Sequence, residues 1–346
     1  MTDAGAPIDP RGPAGTDDAP AWPSVAAILG VGLMGAGFAQ LFALAGIETL
    51  VADVTPERAV AGRERAISLA AEFESAGLMP AGAPELIAER VRAVESIEAA
   101  VAPAGFVLEA VTESPAAKHA VYRLAEAATA DDTTIATNTS AIPIRELARV
   151  LRRPERFVGT HWFNPPQWIP CVELIAGPVT AAEVMERTAA LLVRLGKKPV
   201  TVGDAGGFVA NRLQFAMYKE AVSIIADGVA TAEQVDEVVR NSFGFRLPIF
   251  GPFAIADMAG LDVYAGAYAA LEADLGERFA PPPQLTERVA RGQLGAKQGG
   301  GFSSLRPEQL GRVTQSRDQA YFALSRLLAE LAREGEAEPA DDVTST

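Results

Sequence analysis

Two histidines in 346 residues leave few side chains able to gain and lose a proton near neutral pH. His119 follows Lys118 in a run with helical spacing, and there a solvated helix face is expected. His161 stands in Gly159-Thr160-His161-Trp162-Phe163-Asn164-Pro165-Pro166, at the C-terminal end of an expected parallel strand. Ligands of open α/β sheets gather at that edge. A histidine so placed can be a general base or a satisfied core residue, and its own residue type leaves both readings open. Twelve positions on, Glu173 interrupts the apolar run Val172-Glu173-Leu174-Ile175. A carboxylate inside a buried strand needs a partner, and an imidazole at the same sheet edge is the natural one. Such a pair fixes the ring tautomer and suits the histidine to take a proton from an alcohol as a hydride leaves.

A second constellation could hold the acceptor of that hydride. Gly30-Val31-Gly32-Leu33-Met34-Gly35 is a GxGxxG sequence between a short apolar strand (24–29) and a helical pattern (33–45). Gly30 makes the tight turn, Gly32 lets a pyrophosphate approach the backbone, and Gly35 allows close helix–strand packing. The helix start at Leu33 and Met34 offers N–H groups to the anion. Asp53 ends the next strand (47–53), 23 residues after Gly30. An acidic group there accepts hydrogen bonds from a ribose diol and repels a 2′-phosphate, which favours NAD over NADP. FAD shares the fingerprint and is the competing cofactor.

The elements that must position these groups follow from pattern. Strands at 24–29, 47–53, 106–110, 133–137, 157–162, 171–175 and 199–202 alternate with helices at 33–45, 56–76, 84–91, 115–127, 144–151 and 181–195, which argues for a doubly wound α/β domain. After Gly203-Asp204-Ala205-Gly206-Gly207 only helical patterns remain, beginning with 208–227, whose stripe is Leu213, Met217, Ala221 and Ile224. Thr231-Ala232-Glu233-Gln234 is a capping-box sequence. The expected order is a tail (1–22), a dinucleotide-binding Rossmann-type domain (23–204), an all-α domain (205–334) for substrate binding and dimerisation, and a second tail (335–346).

Composition narrows the class of partner. A net charge of −14 with only five lysines and no basic cluster is the wrong sign for nucleic acid or an anionic membrane surface. One cysteine, Cys171, and two histidines exclude a disulfide framework and a Cys/His zinc cluster, so no metal is expected. Cys171 itself reads as a small buried hydrophobe. The uncharged run 25–47 is long enough to span a bilayer, but its five glycines and lack of close basic flanks suit a buried strand and helix better. With no secretory pattern at the start, a cytoplasmic location is expected.

Taken together the motifs resemble the 3-hydroxyacyl-CoA dehydrogenase family. The resemblance is carried by the glycine loop with Asp53, Glu109-Ala110-Val111-Thr112-Glu113 with Lys118, Asn138-Thr139-Ser140, and His161 through Pro165. It continues through Val172-Glu173-Leu174, Gly206 through Arg212, Gly251-Pro252-Phe253, Asp257 through Asp262 and Gly295-Ala296-Lys297, holding from about residue 24 to 302. It implies NAD-dependent interconversion of a 3-hydroxyacyl-CoA and its ketone by a homodimer. It further implies that His161 is the acid/base and Glu173 its orienting partner, and that Ser140 and Asn211 bond the reacting oxygen and substrate carbonyl. Glu113, Lys118, Asn138, Ser140, Asn164 and Lys297 would lie at the cofactor side of the site. On the residues alone, Asn138 and Ser140 also suit a turn cap, and Lys297 a disordered glycine-rich loop.

Two departures bear on substrate. Residues 54–100 hold none of the lysines that in this family approach the CoA phosphates, though Arg63, Arg65, Arg90 and Arg92 are present. Phe302 is followed by Ser303-Ser304 rather than an aromatic residue. The His161–Pro166 and Asn211-Arg212-Leu213-Gln214 segments resemble relatives acting without CoA, such as L-gulonate 3-dehydrogenase and pyridine-alcohol dehydrogenases. The alternatives are therefore a free 3-hydroxy acid or aromatic alcohol as substrate, and an NAD-binding protein without turnover.

Overall fold

A computed structural model describes residues 22–337. The chain falls into two compact units, divided between Lys219 and Glu220. The first holds β1 (Val25–Leu29), α1 (Leu33–Leu44), β2 (Glu48–Ala52), α2 (Pro56–Ser75), α3 (Ala83–Arg90), β3 (Val91–Ala93) and α4 (Ile97–Val101). It continues with β4 (Phe106–Glu109), α5 (Pro115–Ala128), β5 (Thr134–Thr137), α6 (Ile144–Leu147), β6 (Phe157–Trp162), β7 (Cys171–Ala176), α7 (Ala182–Arg194), β8 (Lys198–Val202) and the start of α8 (Ala210–Ala226).

The eight strands form one sheet in the order β3-β2-β1-β4-β5-β6-β7-β8. Neighbours run parallel except β6 and β7, which are antiparallel with His161 directly opposite Glu173. Adjacent residues of one strand serve opposite faces: Ala26 and Ile28 pack with Phe38 and Phe42 of α1, whereas Ala27 and Leu29 pack with Tyr122 of α5 and Leu147 of α6. Covering both faces is why these strands read as continuous apolar runs rather than alternating ones. The run 25–47 is thereby accounted for as β1, α1 and the entry to β2. Among the described residues no helix is long and apolar enough to cross a membrane.

Several expectations need correction. The doubly wound pattern leaves the sense of β7 open; the loop from Phe163 to Pro170 holds no crossover helix, and β7 returns beside β6 in the opposite sense. β3 and α4 were not expected; β3 has three residues and α4 five, too short to show a period. The helix expected from Phe208 begins at Ala210, because Phe208 adopts φ +47° behind Gly207 at +69° and turns its ring into the core. Trp22, assigned to the tail, packs against the core under the Arg194 guanidinium, 5.2 Å from the ring centroid; residues 1–21 and 338–346 lie outside the described residues. Cys171 is half-buried at the start of β7. His119 is half-buried too, its Nε2 3.3 Å from the Glu146 carbonyl oxygen.

The second unit carries the rest of α8, then α9 (Ala232–Asn241), α10 (Phe243–Arg246), α11 (Pro252–Ala259), α12 (Leu261–Leu275), α13 (Pro283–Ala290) and α14 (Leu310–Ala337), with no strand among the described residues. Thr231 and Gln234 form the expected reciprocal cap of α9. Ala256, Leu261 and Leu285 make a small core with Tyr264, Tyr268 and Phe302 around it. Asp257 is buried, and its carboxylate accepts from the N–H groups of Phe302 (3.1 Å) and Ser303 (2.6 Å) and from the Ser303 hydroxyl (2.6 Å). Its carbonyl accepts from Ala296 N–H (2.8 Å). The glycine-rich loop bearing Lys297 is thus tied down, and Ser303, where an aromatic residue was expected, serves as a third donor to Asp257.

By contact the first unit runs on through the start of α8 to Lys219. Residues 207–211 belong by contact to the first unit, where Val209, Ala210 and Asn211 bond to β7 and to the turn after β5.

Close packing of α2 on the turn after β1 depends on Gly62, where a Cβ would come within 2.4 Å of the Val31 Cβ. Gly62→Ala is expected to destabilise the protein by about 1–3 kcal/mol, the cost of overpacking a filled interior, as read from urea unfolding.

Candidate active site

The glycine loop has the stereochemistry its sequence requires. Gly30 has φ +90°, and a Cβ there would sit 2.7 Å from the Ala110 carbonyl oxygen. A Cβ on Gly35 would reach 2.0 Å from the Gly30 carbonyl oxygen, so α1 can approach β1 only with hydrogen at that position. A Cβ on Gly32 would meet nothing within 4 Å, so that side of the turn is open to a pyrophosphate. The N–H groups of Leu33 and Met34 open α1 and have no intrahelical acceptor by helix geometry. Asp53 follows β2, its carboxylate accepting from Val31 N–H and Val54 N–H, both at 2.8 Å, and pairing with Arg58 at 3.3 Å. An open backbone cradle at a helix start, with a carboxylate fixed beside it, fits a dinucleotide.

At the other end of the sheet edge, antiparallel pairing brings His161 and Glu173 together. Nδ1 of His161 lies 2.7 Å from Oε2 of Glu173, and both side chains are about 95% buried. The other carboxylate oxygen accepts from Val209 N–H and Ala210 N–H, each at 3.0 Å, at the start of α8. Three donors satisfy the buried charge. With Nδ1–H donated to Glu173, Nε2 carries the lone pair and can accept a proton. The rings of Phe163 and Phe208 flank the imidazole at centroid distances of 4.6 and 5.7 Å.

Between these two regions lies a buried polar network that the motifs only partly disclosed. Glu109, at the end of β4, is fully buried. It accepts from Val111 N–H (2.7 Å), Lys118 Nζ (2.8 Å), the Tyr122 hydroxyl (2.6 Å) and the Thr137 hydroxyl (2.8 Å). Burial and the neighbouring Glu109 charge push the Tyr122 phenol well above its usual range. Lys118, only 1% exposed, also reaches Glu113 at 3.1 Å. Glu113 accepts from the Thr139 hydroxyl (2.6 Å), Ser140 N–H (2.8 Å) and Ala141 N–H (3.2 Å). Partial burial pushes the Glu113 carboxyl upward, but the Thr139 and Ser140 hydrogen bonds and the Lys118 charge outweigh it and hold the group below its usual range.

The sequence-derived residues therefore meet in large part. Asn138 accepts from Trp162 N–H at 3.0 Å, and Asn211 donates to the Ser140 carbonyl at 2.7 Å, which joins the turn after β5 to both β6 and α8. Ser140 and Asn164 are exposed. Lys118 is held inside by Glu109 and Glu113 rather than presented at the surface. Lys297 is exposed and belongs to the second unit. Glu109, Tyr122 and Thr137 were not singled out; the available signal was a lone charge ending an apolar strand, as for Glu173. The four arginines of the lysine-free segment all make contacts within the protein. Arg63 donates to the Ala88 and Val91 carbonyls, Arg65 to Val31, Arg90 to Ala43, and Arg92 pairs with Glu48.

Known proteins align with this arrangement. A family model described as "3-hydroxyacyl-CoA dehydrogenase, NAD binding domain" matches residues 25–205, and its C-terminal-domain counterpart matches 207–305. A 5-formyl-3-hydroxy-2-methylpyridine 4-carboxylate 5-dehydrogenase from Mesorhizobium japonicum is 36% identical over 304 residues, covering 87% of this chain and 97% of the relative. A probable 3-hydroxybutyryl-CoA dehydrogenase from Bacillus subtilis is 36% identical over 276 residues, covering 80% and 95%. The crystal structure of a 3-hydroxyacyl-CoA dehydrogenase from Archaeoglobus fulgidus superposes with a TM-score of 0.72 at 30% identity, over 89% of this chain and 99% of that one.

Removing the Lys118 charge should expose how much the network holds. Lys118→Met leaves the buried Glu109 carboxylate without its cation and is expected to cost about 3–5 kcal/mol in denaturant unfolding.

Proposed function

Because the chain belongs to the 3-hydroxyacyl-CoA dehydrogenase family, whose members couple substrate oxidation to NAD, we propose that it interconverts a secondary alcohol β to a carbonyl and the corresponding ketone, with a 3-hydroxyacyl-CoA as substrate. The observation that carries this reading is the His161–Glu173 pair, buried together and with the imidazole Nε2 left to accept a proton. The Gly30–Gly35 turn and Asp53 would hold NAD, which would supply the two-electron acceptor. His161 takes the hydroxyl proton as the carbinol C–H bond breaks, and it returns that proton in the reverse direction. Glu173 holds the ring in the required tautomer and stabilises the imidazolium that forms. Ser140 and Asn211 bond the oxygen on which charge develops. Asn138, Asn164, Glu113 and Lys118 complete the cofactor side, Lys118 acting through Glu113.

A second reading keeps this chemistry on a CoA-free hydroxy acid or aromatic alcohol. The engagement of Arg63 and Arg90 by backbone carbonyls favours it, as does the pyridine-carboxylate substrate in the name of the Mesorhizobium relative. Steady-state assays of acetoacetyl-CoA against free hydroxy acids separate the two by kcat/KM. A protein that binds NAD without turnover has no need of the His161–Glu173 pair.

Leu213, Phe215, Met217 and Tyr218 of α8 are all exposed, between 46% and 65%. Apolar exposure on that scale supports a homodimer, here in the cytoplasm, whose reducing conditions suit a single free cysteine. Light scattering should give twice the chain mass, and Phe215→Glu should shift it toward one chain mass.

His161→Ala should lower turnover by about 10²–10⁴-fold, the contribution of a positioned general base. NADH affinity, followed by fluorescence titration, should remain close to that of the unmodified protein. Near-normal turnover would remove the proposed base.

A further inference from the structure

The segment that leaves His161 is held from two sides, and neither contact was needed for the acid/base chemistry above. Lys197, just before β8, is 5% exposed. Its ammonium donates to the carbonyl oxygens of Pro166, Gln167 (3.0 Å) and Ile169 (3.1 Å). All three N–H groups therefore go to one turn of backbone. Burial pushes this ammonium down to about 8.

The opposite side of the same turn rests on α1, the helix that opens at the glycine loop. A Cβ on Gly37 would fall 2.5 Å from Pro166 Cγ and 2.9 Å from Gln167 Nε2. Gln167 donates to the Gln40 side-chain oxygen, and Gln40, fully buried, donates to the Ala66 carbonyl in α2 at 2.7 Å. Trp162, next to His161, packs on Phe38 of α1 at 5.1 Å and lies under Lys197 at 5.9 Å.

An ammonium buried against carbonyls and an indole ring, with no carboxylate to balance its charge, is a costly way to close a loop, and apolar packing would close it at lower cost. What the cation adds is direction, because three carbonyls must converge on a single nitrogen. We propose that Lys197 is a positioning residue for the redox step: it gathers residues 166–169 and seats them on Gly37 and Gln40, which sets His161 and Asn164 at a fixed place relative to the dinucleotide cradle. Lys197 acts through this turn and touches no reacting atom. The inference rests on His161 being the base.

The test compares Lys197→Met, Lys197→Arg and Gln167→Ala in the full chain. Lys197→Met should lower kcat about tenfold or more, the size of effect that an ångström-scale misplacement of reacting groups produces. NADH affinity by fluorescence should stay near that of the unmodified protein, since Asp53 and the glycine loop are untouched. Lys197→Arg, which keeps the charge and several donors, should recover part of the lost kcat. Gln167→Ala loosens the opposite side by removing one half-buried side chain, and should lower kcat in the same way even if Lys197→Met fails to fold. A purely structural role would lower Tm while leaving kcat of the folded enzyme unchanged. That result in Lys197→Met, or unchanged kcat in Gln167→Ala, overturns the proposal. His161→Ala measured in parallel separates the two claims. Turnover there defeats the base assignment itself, whereas its loss there with unchanged kcat in the turn variants defeats only the positioning role.

Discussion

The Glu173 carboxylate commits one oxygen to Nδ1 of His161 and the other to the backbone N–H groups of Val209 and Ala210. A charge this deeply buried is tolerable only when each oxygen is bonded, so the strand pair and the start of α8 must assemble together or not at all. The same three bonds decide which imidazole nitrogen is free. The antiparallel return of β7 is what places Glu173 across from His161, since a parallel neighbour would need a crossover helix that residues 163–170 do not contain. Ring orientation, tautomer and the onset of α8 thus follow from one interaction.

Around that centre, the protein uses buried ions as joints between elements. Glu109 and Lys118 link the end of β4 to α5, and Glu113 carries the link to the turn after β5. Asp257 does comparable work in the second unit, fixing the loop of Lys297 with three hydrogen bonds. In each case a carboxylate binds backbone N–H groups of a loop that carries a candidate site residue. Loops held in this way can present polar groups with little reorganisation, which is the property an enzyme needs where charge develops.

Much of this was legible in the residues. The strand–glycine turn–helix unit and Asp53 were visible because each requirement is local: a tight turn, close packing, an acid at a strand end. His161 and Glu173 stood out because a titratable group in an apolar strand is costly and therefore informative. What stayed hidden depended on contacts distant in sequence. The sense of β7 and the turn of Phe208 into the core both arise from pairing and packing that no local period records. Lys197 carried no spacing signal, since its partners are backbone carbonyls, which every residue has. β3 and α4 were missed because elements of three and five residues have no measurable period.

The central claim, that a carboxylate-held imidazole moves the proton, is tested most directly by Glu173→Gln, which keeps the shape of the side chain and removes its charge. Stopped-flow oxidation of the alcohol substrate with saturating NAD should show the chemical step slowed by up to about 10⁴-fold, the scale seen when an orienting carboxylate beside a catalytic histidine is neutralised. NADH binding and the unfolding midpoint should identify the variant as folded. A folded variant whose chemical step runs within a few-fold of the original rate would contradict the account.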